Sequence, residues 1–265
     1  MLIVAERINA SRKPIRAALE KLDTIAIHAE VKAQAAAGAH YIDVNGGTFP
    51  GREPELLCWL VETVQAVTDL PLCVDSPDPA ALAAALPKVK SARPMINSIS
   101  LEGERFDRVL PLALRYRARL IALCQGEAVP AATAAQKIDL AAQLVGRLTR
   151  AGLPIEDIYV DPLVFPLATE SSSANASLDA IGEIMRRFPG VHTICGLTNV
   201  SHGLPARRLI NRTLLVGAID RGMDAAIIDP TDMQLMQALL AAEAVFGRDE
   251  YCMNYIDAYQ DGKLG

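Results

Sequence analysis

Short apolar runs recur along the chain, with helical patterns of apolar positions between them. Their spacing is about 30 residues, the size of one strand–helix unit. The runs predict strands at residues 2–5, 40–44, 71–74, 94–98, 119–123, 157–161, 192–196 and 224–228. Eight such units in about 250 residues predict an α/β protein built as a single (β/α)8 TIM barrel. No linker rich in Pro, Gly or Ser divides the chain, so we expect one domain over residues 1–265.

Helix signals follow several of these runs. Thr133 and Gln136 form a capping-box pattern, and Gly152 stands where a helix-ending glycine belongs. The apolar face predicted for this helix consists of Ile138, Ala141, Leu144, Val145 and Leu148. Pro230-Thr231-Asp232 opens the last long predicted helix, and Gly247 closes it.

Four predicted strands end in a carboxylate or an amide. Asp75, Asn97, Asp161 and Asn199 each follow an apolar run. The carboxyl ends of TIM-barrel strands form the rim that carries the active site, so we expect these side chains to converge. Two carboxylates and two amides suit a polar heterocycle with donors and acceptors, such as a pterin. They suit a phosphate badly, because the carboxylates would repel it.

More polar residues fall at the same predicted rim. They are Glu6, Asn9, Asp43, Asn45, Gln125 and Asp229. A helix cap or a loop hydrogen bond explains any one of them alone. So many polar strand ends at one mouth are harder to explain by capping.

Composition and charge narrow the class of function. The 265 residues are 51% hydrophobic, with a mean hydropathy of +0.21. The net charge of −5, from 26 basic and 31 acidic residues, argues against nucleic acid as a partner. No apolar stretch approaches the roughly 20 residues that span a membrane, and the N-terminal residues do not resemble a signal peptide.

Cysteine and histidine usage points to a reducing compartment without a metal site. The five cysteines are widely spaced and form no Cys-x-x-Cys pattern, so we expect a cytoplasmic protein. The four histidines show no metal-ligand spacing. We therefore expect that this chain binds no metal.

Six short segments form a recognisable set. They are Glu6-Arg7-Ile8-Asn9, Asp43-Val44-Asn45-Gly46-Gly47, Val74-Asp75-Ser76, Ile96-Asn97-Ser98, Val160-Asp161-Pro162 and Gly196-Leu197-Thr198-Asn199-Val200-Ser201. In order and spacing they resemble the pterin-binding methyltransferases. The likeness is greatest to methyltetrahydrofolate:corrinoid protein methyltransferases, and it covers essentially the whole chain. The first and last segments are specific together, and either alone would be weak.

The resemblance implies roles for individual residues. Three of them hold the pterin ring by its amino, amide and ring-nitrogen edges: Asp75, Asn97 and Asp161. Asn199 occupies the position that reaches N5 of the folate and is the expected catalytic residue. His202 stands where the best-known relatives have Gln, and Arg207 matches a position near the p-aminobenzoate end of the substrate. Further candidates for folate binding are Glu6, Asn9, Asp43 and Asn45.

The implied reaction is methyl transfer between N5 of 5-methyltetrahydrofolate and the cobalt of a corrinoid. The chain has no cobalt-ligating Asp-x-His-x-x-Gly segment, so the corrinoid is expected on a partner protein that docks at an open rim. The direction of transfer stays open. The family also tends to form homodimers, and we expect one here.

Two alternatives remain at this point. The first is dihydropteroate synthase, whose loop the segment Asp43-Val44-Asn45-Gly46-Gly47-Thr48 resembles. That enzyme needs a Lys after strand seven and an Arg-x-His near strand eight, where this chain has Gly196-Leu197-Thr198-Asn199 and Ile227-Ile228-Asp229-Pro230. The second is a non-catalytic barrel that only binds a folate or scaffolds a corrinoid protein. For Asn199 itself, a separate alternative is that its amide caps a helix over residues 204–221.

Overall fold

The parallel strands of the chain form a barrel. The computed structural model describes residues 1–47, 49–127 and 130–265, so Thr48 of the synthase-like loop lies outside the described residues. The strands are β1 Leu2–Asn9, β2 Tyr41–Asn45, β3 Leu72–Asp75, β4 Met95–Leu101, β5 Arg119–Gly126, β6 Ile158–Asp161, β7 His192–Thr193 and β8 Ala225–Ile228. Their order is β7-β6-β5-β4-β3-β2-β1-β8, with every neighbouring pair parallel. A backbone bridge between Gly196 and Ile227 joins the two ends, which confirms the predicted TIM barrel.

Helices surround the barrel. Their bounds are α1 Lys13–Lys21, α2 Thr24–Ala36, α3 Glu53–Val64, α4 Pro79–Ala85, α5 Arg105–Tyr116, α6 Ala134–Arg150, α7 Ser173–Arg187, α8 Arg207–Asp220, α9 Met233–Val245 and α10 Met253–Gln260. Short 3-10 helices lie at Leu86–Lys88, Ile155–Asp157, Leu197–Ser201 and Glu250–Cys252. Within the described ranges, no helix combines the length and the apolar character needed to cross a membrane.

Buried apolar side chains fill both sides of the sheet. Two clusters combine strand and helix residues and pack the sheet against its outer helices. A third cluster contains strand side chains such as Val4, Met95 and Ile121, and it fills the barrel interior. Because the interior is packed below, the polar strand ends are left to form an open mouth above.

Register aligns the polar strand ends. Asn45 of β2 pairs with Asp75 of β3, and Asp75 pairs in turn with Asn97 of β4. Asn9 of β1 pairs with Asn45. Residues that are partners in a parallel ladder share one level of the barrel and one face of the sheet. The strand ends therefore form a continuous polar row across four strands.

Most predicted helix ends are confirmed. Thr133 and Gln136 make both hydrogen bonds of a capping box at the start of α6. Gly152 and Gly247 follow α6 and α9 with φ of +91° and +70°, a region that glycine enters without strain. The Asp232 side chain accepts a hydrogen bond from the backbone N–H of Leu235 and caps α9.

The predicted apolar face of α6 packs against the core, but it also contains a lysine that the prediction lacked. Lys137 is fully buried, and Ile138 is partly buried and packs against the core. The ammonium of Lys137 donates to the backbone carbonyls of Pro162 and Leu163. Because the buried charge has these partners, Lys137 can lie on the inner face of the helix.

The segment around β7 also differs from the prediction. The strand ends at Thr193, whereas the apolar run predicts residues 192–196. The chain then turns into the 3-10 helix Leu197–Ser201. The helix predicted over 204–221 begins at Arg207, because Ala206 has a φ of +50° and lies in the left-handed region, outside the helical conformation.

Candidate active site at the mouth of the barrel

A cavity of about 1210 Å³ opens at the carboxyl ends of the strands. The predicted residues that line it are Glu6, Asn9, Asp43, Asp75, Asn97, Asp161, Asn199, His202 and Arg207. Asn45 does not line the cavity but donates a hydrogen bond to Asp75 at 2.7 Å (Nδ2 to Oδ2). The structure thus gathers every sequence-predicted candidate at one mouth.

Acids and amides alternate along β2, β3 and β4. The Asn45 amide binds Asp75, and the Asn97 Nδ2 lies 3.5 Å from Oδ1 of Asp43. The other end of the Asn45 amide accepts a hydrogen bond from the backbone N–H of Gly47 at 2.9 Å. These bonds fix the amides and leave carboxylate oxygens free for a ligand. We name Asp43, Asn45, Asp75 and Asn97 the acid–amide row.

Burial changes the protonation of the acid–amide row. It raises the pKa of Asp75 to about 6, against the opposing effects of the Asn45 hydrogen bond and the Arg105 charge. Burial raises the pKa of Asp43 as well, and the neighbouring Asp75 charge adds to that rise. Two adjacent buried acids resist being charged together, so the row can offer both a carboxylate acceptor and a carboxylic-acid donor.

Asp161 ends β6 on the opposite side of the mouth. Its side chain is only 6% exposed, and Oδ1 accepts a hydrogen bond from the backbone N–H of Leu163 at 2.7 Å. Burial raises its pKa to about 6, although the backbone hydrogen bonds of Leu163 and Gly196 and the charge of Lys137 favour the ionised form.

Asn199 lies in the 3-10 helix Leu197–Ser201 with an exposed side chain. Among the residues that the structure describes, none is a hydrogen-bond partner of its amide. The N-cap of α8 is Ala206, with no capping side chain, so the alternative in which Asn199 caps that helix is wrong. The amide of Asn199 is free to bind a ligand.

Two neighbouring side chains hold the backbone around Asn199. Arg207 donates to Oγ of Ser201 at 3.0 Å and to the carbonyl of Thr198 at 2.8 Å. The hydroxyl of Thr198 donates to Oε2 of Glu6 at 3.1 Å. Arg207 therefore positions the turn that presents Asn199, in addition to lining the cavity. The sequence could not show this, because the bonds connect β1, the 3-10 helix and α8.

The carboxyl group of Glu6 has a strongly raised pKa. Burial raises its pKa to about 7, the hydrogen bond from Thr198 opposes that rise, and the charge of Asp229 adds to it. Arg12 and Arg207 favour the ionised form. A carboxyl group that titrates near neutral pH can both hold and release a proton.

The remaining rim residues have local partners. Asn9 accepts a hydrogen bond from the backbone N–H of Ser11 at 2.9 Å, and Gln125 donates to Glu102 at 2.7 Å. Asp229 is bound by Arg7 and Thr231, so its oxygens are committed to the protein. In the described parts of the chain, no three His, Cys, Asp or Glu side chains are grouped as metal ligands.

Sequence reasoning missed three contributors to the site. Arg105 donates to the backbone carbonyls of Ser76 and Ser98 and fixes the loops after β3 and within β4. Thr198 binds Glu6, and Lys137 supports the turn after Asp161. The sequence carries no signal for these contacts, because each depends on backbone or side-chain groups that only the fold brings together.

A model of the family described as pterin binding enzyme matches residues 5–229. The chain belongs to this family, and the resemblance read from its rim motifs is confirmed. A methylcorrinoid:tetrahydrofolate methyltransferase of Eubacterium limosum is 37% identical over 271 residues, which cover 100% of this chain and 98% of the relative.

Other similarities are partial or structural. The methionine synthase of Mycobacterium tuberculosis is 30% identical over 242 residues, covering 86% of this chain but 20% of that much longer enzyme. Dihydropteroate synthase from Xanthomonas albilineans, in complex with 7,8-dihydropteroate, superposes with a TM-score of 0.65 over 93% of this chain and 92% of its own. At 17% identity, this likeness shows the shared fold alone.

Proposed function

We propose that this protein is a methyltransferase that moves a methyl group between N5 of 5-methyltetrahydrofolate and the cobalt of a corrinoid held by a partner protein. The observation that carries the proposal is one open cavity lined by Asp43, Asp75 and Asn97 of the acid–amide row and by Asn199, whose amide has no partner among the described residues. Its full-length relative, at 37% identity, is a methylcorrinoid:tetrahydrofolate methyltransferase. Folate and corrinoid protein are both substrates here, and residues 1–265 act as one catalytic domain.

The polar edge of a pterin can form hydrogen bonds with Asp75, Asn97 and Asp161. A pterin presents N–H donors at its amino group and ring nitrogens, and an ionised carboxylate accepts them strongly. Asn97 offers a donor and an acceptor to the mixed edge of the ring. Asp43 and Asn45 orient these groups through the hydrogen bonds described above.

Asn199 is the residue that we propose acts in the methyl-transfer step. As the methyl group leaves, N5 keeps the bonding electrons and gains negative charge. An amide N–H directed at N5 stabilises that charge most in the transition state. The same hydrogen bond serves both directions of transfer, because they share one transition state.

The proton that N5 finally takes comes through water or from a neighbouring group, since an amide cannot supply it. Glu6 is the neighbouring group that we propose, because it is bound to Thr198, the residue before Asn199. Its pKa of about 7 allows it to carry a proton at neutral pH. His202 and Arg207 flank the exposed side of the mouth and face the p-aminobenzoate end of the substrate.

Two surfaces of the protein support the proposals for its partner protein and for its oligomeric state. The corrinoid protein docks at the open mouth, where cobalt can reach N5. The second surface consists of exposed apolar side chains near the C-terminus, which are Val245, Tyr251, Met253 and Tyr259. An apolar surface of this kind is typical of an interface between protein chains. We propose that it forms a homodimer, with a solution mass about twice the 28.4 kDa of one chain, and that the enzyme acts in the cytoplasm.

The test is a visible-spectrum assay with cob(I)alamin as the methyl acceptor in place of the partner protein. Addition of 5-methyltetrahydrofolate and enzyme should remove the Co(I) absorbance, and the enzyme with Asn199→Ala should remove it about 10²–10³ times more slowly. Folate binding without loss of Co(I), with free cobalamin or with corrinoid proteins, would instead favour the non-catalytic barrel. Formation of dihydropteroate and pyrophosphate from p-aminobenzoate and a hydroxymethyldihydropterin pyrophosphate would favour the synthase, although the sequence lacks the Lys after strand seven and the Arg-x-His near strand eight.

A further inference from the structure

Lys137 is a fully buried cation that the reaction described above does not use. Its side chain is 0% exposed, and its Nζ lies 2.7 Å from each of the backbone carbonyl oxygens of Pro162 and Leu163. The ammonium also lies 4.8 Å from the ring centroid of Phe165. Burying an ammonium costs free energy even when it is well paired, and an apolar side chain would serve the packing of α6 as well.

Lys137 and Asp161 both form hydrogen bonds with the backbone of the turn that follows β6. Leu163 adopts a φ of +55°, a left-handed conformation that is unfavourable for a branched side chain. Its carbonyl accepts from Lys137, and its N–H donates to Oδ1 of Asp161. Lys137 and Asp161 therefore bind the same residue, and the lysine fixes the donor that orients the carboxylate.

Ionisable side chains face Asp161 from three segments of the chain. Lys137 faces it from α6, Cys124 from β5 and Cys195 from the segment after β7. Burial raises the pKa of both thiols, so they are neutral at physiological pH. Burial lowers the pKa of Lys137, while Cys124 and Asp161 act in the opposite direction. The lysine thus supplies positive charge on this side of the carboxylate.

We propose that Lys137 is a positioning residue that keeps Asp161 ionised and oriented to accept N–H donors from the pterin. The inference deepens the proposed function and depends on it for the identity of the ligand. It makes folate affinity sensitive to pH in a defined direction. An ionised Asp161 binds the pterin, so affinity falls as pH drops through the pKa of Asp161. Loss of the Lys137 charge moves that fall to higher pH.

The main experiment is folate titration calorimetry from pH 5.5 to 8.5 on wild type, Lys137→Met and Lys137→Gln. The Gln variant keeps a hydrogen-bond donor near the turn but removes the charge. Leu148→Ala is the matched control, since Leu148 is a fully buried residue on the same helix. Both Lys137 variants should weaken folate binding at least about tenfold at pH 6.5. The midpoint of the pH dependence should rise in both and stay unchanged in Leu148→Ala.

A second measurement needs no folate. Carboxyl-carbon NMR of protein labelled at aspartate, with Asp161→Asn to identify the resonance, reports the titration of Asp161 directly. A higher titration midpoint in both Lys137 variants supports the proposal. An unchanged midpoint in Lys137→Gln overturns it, because the lysine would then serve packing alone. If wild type binds no folate, the proposed function fails, yet the NMR result still decides the role of Lys137.

Discussion

The two sides of the mouth are built differently. On one side, the acid–amide row is anchored in three adjacent strands, and its members bind one another. On the other side, Asn199 stands on a single 3-10 turn, and its amide has no partner among the described residues. A rigid row suits ground-state recognition of a flat ring, because its groups are already oriented. An amide without a protein partner is available to a ligand, and we propose that it donates to N5 of the folate.

The largest expected effect falls on the side with the free amide. Asn199→Ala should lower kcat by about 10²–10³, the usual cost of losing one donor to a developing charge. Folate affinity should change much less, because the hydrogen bond strengthens only as the methyl leaves. Stopped-flow loss of Co(I) absorbance at saturating folate, with calorimetry of folate binding, measures both.

Asn199→Asp sharpens this result. An ionised carboxylate at position 199 repels the negative charge that grows at N5, so kcat should fall further than in Asn199→Ala at high pH. At low pH a protonated carboxyl group can donate, and kcat should recover. Turnover of Asn199→Ala equal to wild type would mean that the activating group lies elsewhere, with His202 examined first.

The acid–amide row and Asp161 should control binding. Asp75→Ala, Asn97→Ala and Asp161→Ala each leave a polar edge of the pterin unpaired, at about 1–3 kcal/mol each. Folate affinity should therefore weaken at least about tenfold in each variant, with the circular dichroism spectrum unchanged. Unaltered affinity in all three by calorimetry would remove the pterin from this pocket.

Variants of Glu6 test whether this residue supplies the proton that N5 takes. If it supplies the proton, wild-type kcat should fall as pH rises through about 7, where Glu6 ionises. Glu6→Gln should be slower and independent of pH in this range. Thr198→Val is the control, because it removes the hydrogen bond that favours ionised Glu6, so its profile should shift to higher pH. A wild-type profile that is flat from pH 6 to 8 would contradict the role.

Glu6 should also affect stability. Its pKa is raised from 4.5 to about 7 in the folded chain, so the folded state holds the proton more tightly than the unfolded state. Stability should therefore decline as pH rises through that window. Glu6→Gln removes the ionisable group, and its thermal midpoint should exceed that of wild type at pH 8.

The smallest effect is expected at the far end of the barrel, away from the mouth. His192 and Asp224 approach to 2.6 Å, and this hydrogen bond raises the pKa of His192 above its usual 6.5. The stabilisation is complete below about pH 6.5 and is lost as pH rises through the folded-state pKa. His192→Gln should lower the thermal midpoint at pH 5.5 more than at pH 8.5 and leave folate affinity unchanged. An equal loss at both values would assign His192 to packing.

The contrast between the two sides also explains what the sequence could predict. Asn45 and Asp75 end β2 and β3, and Asn97 follows the apolar pair Met95-Ile96 within β4, so the period of βα units and a polar residue after each apolar run were enough to locate Asp75 and Asn97. The turn at Asn199 depends on contacts between segments far apart in sequence, such as Thr198 with Glu6. No local pattern marks such contacts, so the short β7 and the later start of α8 were predicted wrongly.

Lys137 shows a different limit. Helical periodicity selects a face by apolarity, and a lysine on that face reads as solvent-exposed. Only the two carbonyls presented by the turn after β6 make its burial favourable. Those carbonyls belong to Pro162 and Leu163, and their direction depends on a left-handed backbone that the sequence does not signal at a leucine.

The bridge between Gly196 and Ile227 has a further consequence. It closes the barrel with one isolated pairing, next to a strand of only two residues, whereas β2, β3 and β4 are joined by continuous ladders. Local opening needs least free energy where fewest backbone bonds are broken. The barrel wall is therefore held most weakly at the pairing between Gly196 and Ile227, and Asn199 follows Gly196 by three residues. The wall should open first at this pairing, whereas the wall formed by β2, β3 and β4, which carries the acid–amide row, should stay closed.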